Sequence, residues 1–300
     1  MTLTNQQVIE IAKRHGLFVQ ESSLKRNESG LDFQVVFATD AKREKWVLRF
    51  PRRRDVVPMA KKEKDILDVV GGKLPVQTPK WAIYSDELIA YKLLHGIPAG
   101  TIDVKAKAYV WEIDEKNVPN SFHNTLGSAM SALHSIDHQA ARNAGLTVQT
   151  PEEAKASMTK RMVNVKSAYG VSEELWDRWQ RWLANDLLWP KQTALIHGDL
   201  HAGHILIDEY ARVTGLIDWT EAHVTDPAND FVGHLSTFGE DALRKLVKAY
   251  ELAGGYVWPF MLEHIVELAA AYPVGIAEFA MKSGLEEYEQ MAKQTLGVVE

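Results

Sequence analysis

The sequence predicts an α+β fold in two lobes, the first rich in β-strand and the second mainly helical. Three observations predict it. The chain has 300 residues, more than one small core requires. Strand-like runs bounded by turn residues fill most of the first 94 residues, and apolar residues recur at helical spacing after residue 100. The breaker HGIPAG, residues 95–100, lies where the two regimes meet. The expected division is therefore 1–94, a linker at 95–100, and 101–300.

The elements follow in order. Residues 4–15 read as a short amphipathic helix, too polar for a secretory leader. NESGLDFQVVFAT (27–39) and EKWVLRFP (44–51) read as two strands with turn residues between them. Pro58 opens a helix that places Ile66, Leu67 and Val70 on one face and ends at Gly71-Gly72. WAIYS (81–85) and ELIAYKLL (87–94) form a second strand pair. Beyond the linker the chain is expected to turn helical, beginning with the stripe Leu126, Met130, Leu133. In SEELWDRWQRWLANDLLW (172–189), Ser172 is the N-cap and Trp176, Trp179 and Leu183 form a core stripe. ALIHGDL, HILID and VTGLIDW read as short strands around loops, and helices at 239–253 and 259–282 close the chain. The most apolar stretch, 264–281, contains Glu267, Pro273 and Glu278, so it reads as buried helix rather than a membrane span.

Composition narrows the function classes. Hydrophobic content of 46% and charged content of 25% are those of a globular protein, and a net charge of −6 argues against a general nucleic-acid binder. Residues 42–64 hold ten Lys or Arg against three acids, so this segment is +7 and the remaining chain is −13. The segment reads either as a solvated basic face or as a sign of two lobes with different jobs, one meeting an anion and the other a cation. The absence of cysteine excludes disulfides and thiolate zinc sites and fits a reducing, cytoplasmic setting.

The densest chemistry lies in HGDLHAGHILID, residues 197–208. His197, Asp199, His201 and His204 are all plausible zinc ligands, which makes a zinc-dependent hydrolase one reading. No second zinc signature such as H-E-x-x-H accompanies them. Phosphoryl transfer is the other reading. It needs a carboxylate to orient the attacking hydroxyl and further groups to hold Mg²⁺ on the phosphates. A kinase catalytic loop sets its Asp five residues before a metal-binding residue, as Asp199 stands to His204. Asp218 then ends the apolar run LID, where a kinase carries its main Mg²⁺ ligand. Alone, Asp218 is a turn residue; the whole constellation favours the kinase.

HGDLH (197–201), IDW (217–219) and DPAND (226–230) resemble the aminoglycoside phosphotransferase family, small-molecule kinases with a protein-kinase-like fold. NESGLDF (27–33), WVLRFPRR (46–53), HGDLHAGHILID (197–208), DWTEA (218–222) and AYPVGIAEF (271–279) are similar to its macrolide 2′-phosphotransferase subgroup, in register over about residues 20–280. The resemblance implies a bilobal kinase-like fold and transfer of phosphate to the 2′-hydroxyl of a macrolide amino sugar, with Mg²⁺ as cofactor. GTP as donor is implied by the subgroup alone, with ATP the alternative. The expected partners are the macrolide and the nucleotide, with no nucleic acid and no membrane, on a monomer.

Residue roles follow from the resemblance. Asp199 is the expected catalytic base. Asp218 and His204 are expected at the metal, though His204 stands where the wider family has Asn and alternatively bonds a metal-bound water or Asp199. Arg49 replaces the kinase lysine and pairs with Glu63, keeping the charge and adding a fork. Ser29 and Gly30 are expected to offer backbone N–H groups to phosphate. The nucleotide base is expected against the backbone near Tyr91, Lys92 and Leu94. Tyr272, Pro273, Ile276 and Phe279, with Glu278 nearby, suit an apolar acceptor carrying one amine. His197, His201, Asp226 and Asp230 are expected to shape and brace the loops. A kinase for an aminoglycoside or another small amino alcohol is the runner-up, and a nucleotide-binding module without turnover is a third reading.

Overall fold

The computed structural model describes residues 2–27, 32–103 and 108–298. The expected phosphate-loop residues Ser29 and Gly30 fall outside them.

Strand β3 (Lys45–Pro51) explains the first sheet. Its even-numbered residues Trp46, Leu48 and Phe50 pack with Val8 and Ala12 of helix α1 (Asn5–Arg14). Its odd-numbered Val47 joins Ile66, Leu67 and Val70 of helix α2 (Val57–Val70) in the other cluster. Period-two alternation therefore puts one helix on each sheet face. Leu48 and Ile66 are fully buried, each contributing about 2 kcal/mol of apolar burial. The strands are β1 (Lys25–Asn27), β2 (Phe33–Thr39), β3, β4 (Trp81–Tyr84) and β5 (Ile89–Lys92), in the spatial order β1-β2-β3-β5-β4 and all antiparallel. β1 is a separate short strand that the reading of 27–39 as one run did not resolve.

The Gly/Pro breaker is not a free linker. Ile97–Pro98 form strand β6, which pairs with β10 (Ile205–Ile207), itself paired with β11 (Val213–Leu216). The Thr214 hydroxyl donates to the His95 carbonyl at 2.6 Å. Gly96 has φ 106°, and a Cβ there would lie 2.3 Å from Thr214 Oγ1, so glycine is required by both backbone and space. The chain does not turn helical at once either. A hairpin of β7 (Gly100–Asp103) and β8 (Ala108–Trp111) intervenes.

The remaining structure is mainly helical. Helix α3 (Asn120–His134) carries the Leu126, Met130, Leu133 stripe into the core against α7 (Asn229–Leu252). α4 (His138–Asn143) and α5 (Pro151–Tyr169) were not expected, although Thr150 and Glu153 form a capping box before α5. α6 (Glu173–Ala184) stops short of the expected 189, with Trp179 and Trp182 buried and Trp176 half-buried. β9 (Ala194–Ile196) pairs with β12 (His223–Thr225). α7 begins ten residues before the expected 239, and Gly239 with φ 80° breaks it there. The expected helix 259–282 divides into α8 (Met261–Ala270) and α9 (Tyr272–Ser283) just before Pro273, and α10 (Glu286–Thr295) follows. Among the described residues, no helix is long and apolar enough to cross a membrane.

Candidate active site

Buried strand β9 delivers HGDLH to the surface. Gly198 has φ 84°, and a Cβ there would lie 2.6 Å from the Glu221 carbonyl oxygen. Only glycine suits both conditions, so the loop turns sharply against the segment that follows Asp218. From α7, Asp230 accepts the backbone N–H groups of His197 at 2.8 Å and Gly198 at 2.9 Å, and lies 3.1 Å from His134 Nε2. Burial pushes the Asp230 carboxyl up, but His134 and the other donors more than offset it, leaving it below the usual carboxylate range. His197 is a brace. Its Nε2 donates to the Ile217 carbonyl at 3.0 Å and its Nδ1 accepts from the Asp199 N–H at 3.3 Å, so the ring is neutral, and burial lowers its pKa. Asp226 accepts from His264 Nε2 at 2.6 Å and ties this region to α8.

Asp199 is exposed, open to an incoming acceptor. His204 stands between it and Asp218. His204 Nδ1 donates to the Asp199 carbonyl at 2.9 Å and lies 3.5 Å from its Oδ2. Its Nε2 lies 3.7 Å from Asp218 Oδ2. Because a carbonyl cannot donate, the Nδ1 proton is assigned, and Nε2 is left facing a carboxylate. An imidazole lone pair opposite a carboxylate oxygen invites a cation or a shared proton between them. Asp218 itself has φ 63°, a left-handed conformation costing a non-glycine residue about 1–3 kcal/mol. Burial raises its carboxyl, but His204, the Thr220 hydroxyl and Arg49 together bring it below the ordinary value. Asp199, His201 and His204 can also present ligand atoms within 4.8 Å of one another. The Asp218 and Asp199 oxygens suit a hard cation such as Mg²⁺, whereas two imidazoles and one carboxylate suit Zn²⁺. His201 Nδ1 is taken up by the Gly203 N–H at 3.0 Å, which leaves only its Nε2 for a metal.

On the sheet side, Arg49 Nη1 donates to Glu63 Oε1 at 2.8 Å. The guanidinium lies 4.3 Å from the Phe33 ring centre and 5.7 Å from that of Trp81. This aromatic cradle suits a flat cation better than an ammonium. Burial opposes the Arg49 charge, but Glu63 overrides it and holds the pKa above its ordinary value. For Glu63, burial outweighs the pull of Arg49 and pushes the carboxyl up. A guanidinium does not deprotonate, and its 2.8 Å hydrogen bond to Glu63 Oε1 is the contact that favours the carboxylate form. α2 also reaches the loop after Asp218, where Lys62 Nζ donates to the Thr220 carbonyl at 3.1 Å.

The other expected contacts fare unevenly. The Tyr91 ring is buried beside Arg49, Glu63 and Asp218, and burial pushes its phenol up to about 12. Lys92 turns to the opposite sheet face and pairs with Glu44, with Trp46 5.9 Å away. Strand alternation puts Tyr91 and Lys92 on opposite sides, so the Lys92 side chain lies in an outer ion pair, and the expected base contact concerns its backbone. Leu94 is half-buried against Gly215. On α9, Tyr272 is 65% exposed and Phe279 packs edge-on to Tyr288, while Ile276 and Pro273 are half-buried. Glu278 is not a free acid for an amine. Arg161 grips it through two hydrogen bonds of 2.8 and 2.7 Å. Two residues missed in the sequence are Tyr109 and Trp111, whose rings stack at 4.6 Å with an interplanar angle of 16°. The signal was Y-V-W, two aromatics on one face of a strand. Burial raises the Tyr109 phenol, helped by Asp199 and Tyr272.

Residues 23–264 match the sequence model of the phosphotransferase enzyme family. YcbJ of Bacillus subtilis (strain 168) is 46% identical over 292 residues, covering 97% of this chain and 95% of YcbJ. The apoenzyme structure of macrolide 2′-phosphotransferase MphH from Brachybacterium faecium superposes with a TM-score of 0.93 at 33% identity, over 98% of each chain. A structure of macrolide 2′-phosphotransferase type I superposes with a TM-score of 0.89 at 39% identity, over 100% of each chain. The chain therefore belongs to the phosphotransferase enzyme family and has its kinase-like fold.

Proposed function

We propose that this enzyme transfers the γ-phosphoryl group of GTP to the 2′-hydroxyl of a macrolide amino sugar. The observation that carries the proposal is His204 set between two carboxylates, 3.5 Å from Asp199 and 3.7 Å from Asp218. Full-length similarity to two macrolide 2′-phosphotransferases supports the acceptor. GTP rests on resemblance to the same subgroup.

Arg49, held by Glu63, steadies the donor phosphates. Asp218 and His204 are the residues that would hold Mg²⁺, which when bound offsets phosphate charge. Asp199 orients the acceptor hydroxyl and takes its proton as the phosphoryl group arrives. His197 and Asp230 keep Asp199 at the cleft mouth. The segment 95–100 connects a nucleotide lobe, 1–94, to an acceptor lobe, 101–300.

The test is mass spectrometry of erythromycin incubated with the protein, Mg²⁺ and either GTP or ATP. One added phosphoryl group, absent with Asp199→Asn, is expected, faster with GTP. No phosphorylation by folded, nucleotide-binding protein overturns the acceptor. A second reading, a zinc-dependent hydrolase, rests on the Asp199, His201, His204 cluster; stoichiometric zinc in purified protein would favour it.

A further inference from the structure

Neither the motifs nor the mechanism assigns a role to the paired strands β7 and β8. Main-chain bonds fasten them to the catalytic loop. Gly100 N–H donates to the Ala202 carbonyl at 3.3 Å, and Ala99 N–H to the Ile205 carbonyl at 2.8 Å. In register, Gly100 lies opposite Trp111. A Cβ on Gly100 would sit 2.7 Å from the Trp111 ring and 3.2 Å from Tyr109 Cδ1, so both rings lie directly on the Gly100 backbone. The rings are also anchored from the other side, because Trp111 is tilted against Phe238 of α7 with centroids 5.5 Å apart. A row of aromatic rings thus runs from α7 through Trp111 to Tyr109, next to the loop that carries Asp199. Tyr109 and Trp111 are only half-buried, while Val110 between them faces solvent.

We propose that Tyr109, backed by Trp111, is the acceptor platform of this enzyme. The apolar ring face of a glycosylated macrolactone lies on Tyr109, and this contact holds the acceptor in the cleft while Asp199 orients its hydroxyl. The inference rests on the macrolide reading above and adds the residue that selects for that class. A flat aromatic surface rewards a large apolar ligand with a single amine and offers little to a polyamine, which needs acids. The neutralised Glu278 fits the same selection, since Arg161 withdraws that acid from cation binding.

The test is steady-state kinetics with erythromycin on wild type, Tyr109→Ala, Tyr109→Phe and Tyr109→Val, the last retaining strand propensity if alanine lowers the melting temperature. Loss of the platform should raise the acceptor KM about tenfold or more while kcat changes less than about threefold, because the contact exists in ground and transition states alike. The nucleotide KM should stay at the wild-type value, and Tyr109→Phe should restore the acceptor KM. A merely structural role would move kcat and both KM values together. An acceptor KM within about twofold of wild type in folded Tyr109→Val, with erythromycin being turned over, overturns the platform alone. Failure of wild type to phosphorylate erythromycin overturns the acceptor reading on which it rests.

Discussion

The carboxylate of Asp230 holds the amide of Gly198 at 2.9 Å across 32 residues of chain. With the His197 amide on its other oxygen, it suspends the catalytic loop from the start of α7. Asp230→Ala should leave buried N–H groups without acceptors, costing about 3 kcal/mol. Turnover should fall with stability. Urea unfolding monitored by tryptophan fluorescence checks this, and a loss below about 1 kcal/mol would show that the loop is held some other way.

Gly198→Ala should be more damaging to activity than its size suggests. The new methyl would meet the Glu221 carbonyl oxygen at 2.6 Å while the backbone stays at φ 84°. The loop must shift, and Asp199 shifts with it. We expect turnover to drop about a hundredfold or more, since small misplacements of a reacting group are that costly. Retained activity at constant protein concentration would show the turn to be adjustable.

Arg49→Ala should strand the Glu63 carboxylate, whose side chain is fully buried. Breaking a buried pair by removing one partner costs about 3–5 kcal/mol. Removing both, in Arg49→Ala with Glu63→Ala, should cost less than the two single changes added together. Additive losses in a double-mutant cycle would mean the two groups are not coupled. Arg49→Lys should fold but bind nucleotide more weakly, because an ammonium cannot fill the Phe33 and Trp81 cradle as a guanidinium does.

The pH dependence of stability has a source away from the site. His123 and His234 are buried with rings 5.2 Å apart, and among the described residues neither His123 nitrogen nor His234 Nε2 has a hydrogen-bond partner. Burial lowers them, His123 to about 4 and His234 to about 3. Lys245 adds to the shift on His123. Both therefore titrate lower folded than unfolded, and the unfolded chain takes up protons first as pH falls. Stability should be full above about pH 6.5, the unfolded histidine value, and decline steadily toward pH 4. His123→Leu should flatten that decline. Urea midpoints at pH 7.5 and 5 decide it: an equal drop in wild type and variant would remove His123 from the explanation.

Metal exchange separates the two readings of the histidine cluster. Protein stripped with chelator should regain its kinase turnover with Mg²⁺ and not with Zn²⁺. His204→Asn should keep Mg²⁺-dependent turnover within about tenfold, because an amide oxygen is a harder donor than imidazole. Activity restored by Zn²⁺ alone would reverse the assignment.

Much of this protein was legible in its sequence because the signals are local. Alternation along 46–50 sorts Trp46 and Leu48 from Val47 and Arg49, and so places Arg49 on the face of α2 that carries Glu63. The spacing from Asp199 to His204 and the apolar run before Asp218 point to the candidate site because each depends on one strand and the turn that follows it. What sequence could not decide is which long-range partner claims a side chain. Lys92 belongs to Glu44, Glu278 to Arg161, and the breaker at 95–100 to strand β10, pairings made across 48, 117 and about 110 residues. Tyr109 reads as an ordinary strand residue until the Gly100–Ala202 bond sets its hairpin beside the catalytic loop. Local propensity determines the elements, but side-chain partners depend on distances closed only when those elements pack, and these tertiary contacts set the shape and charge of the cleft.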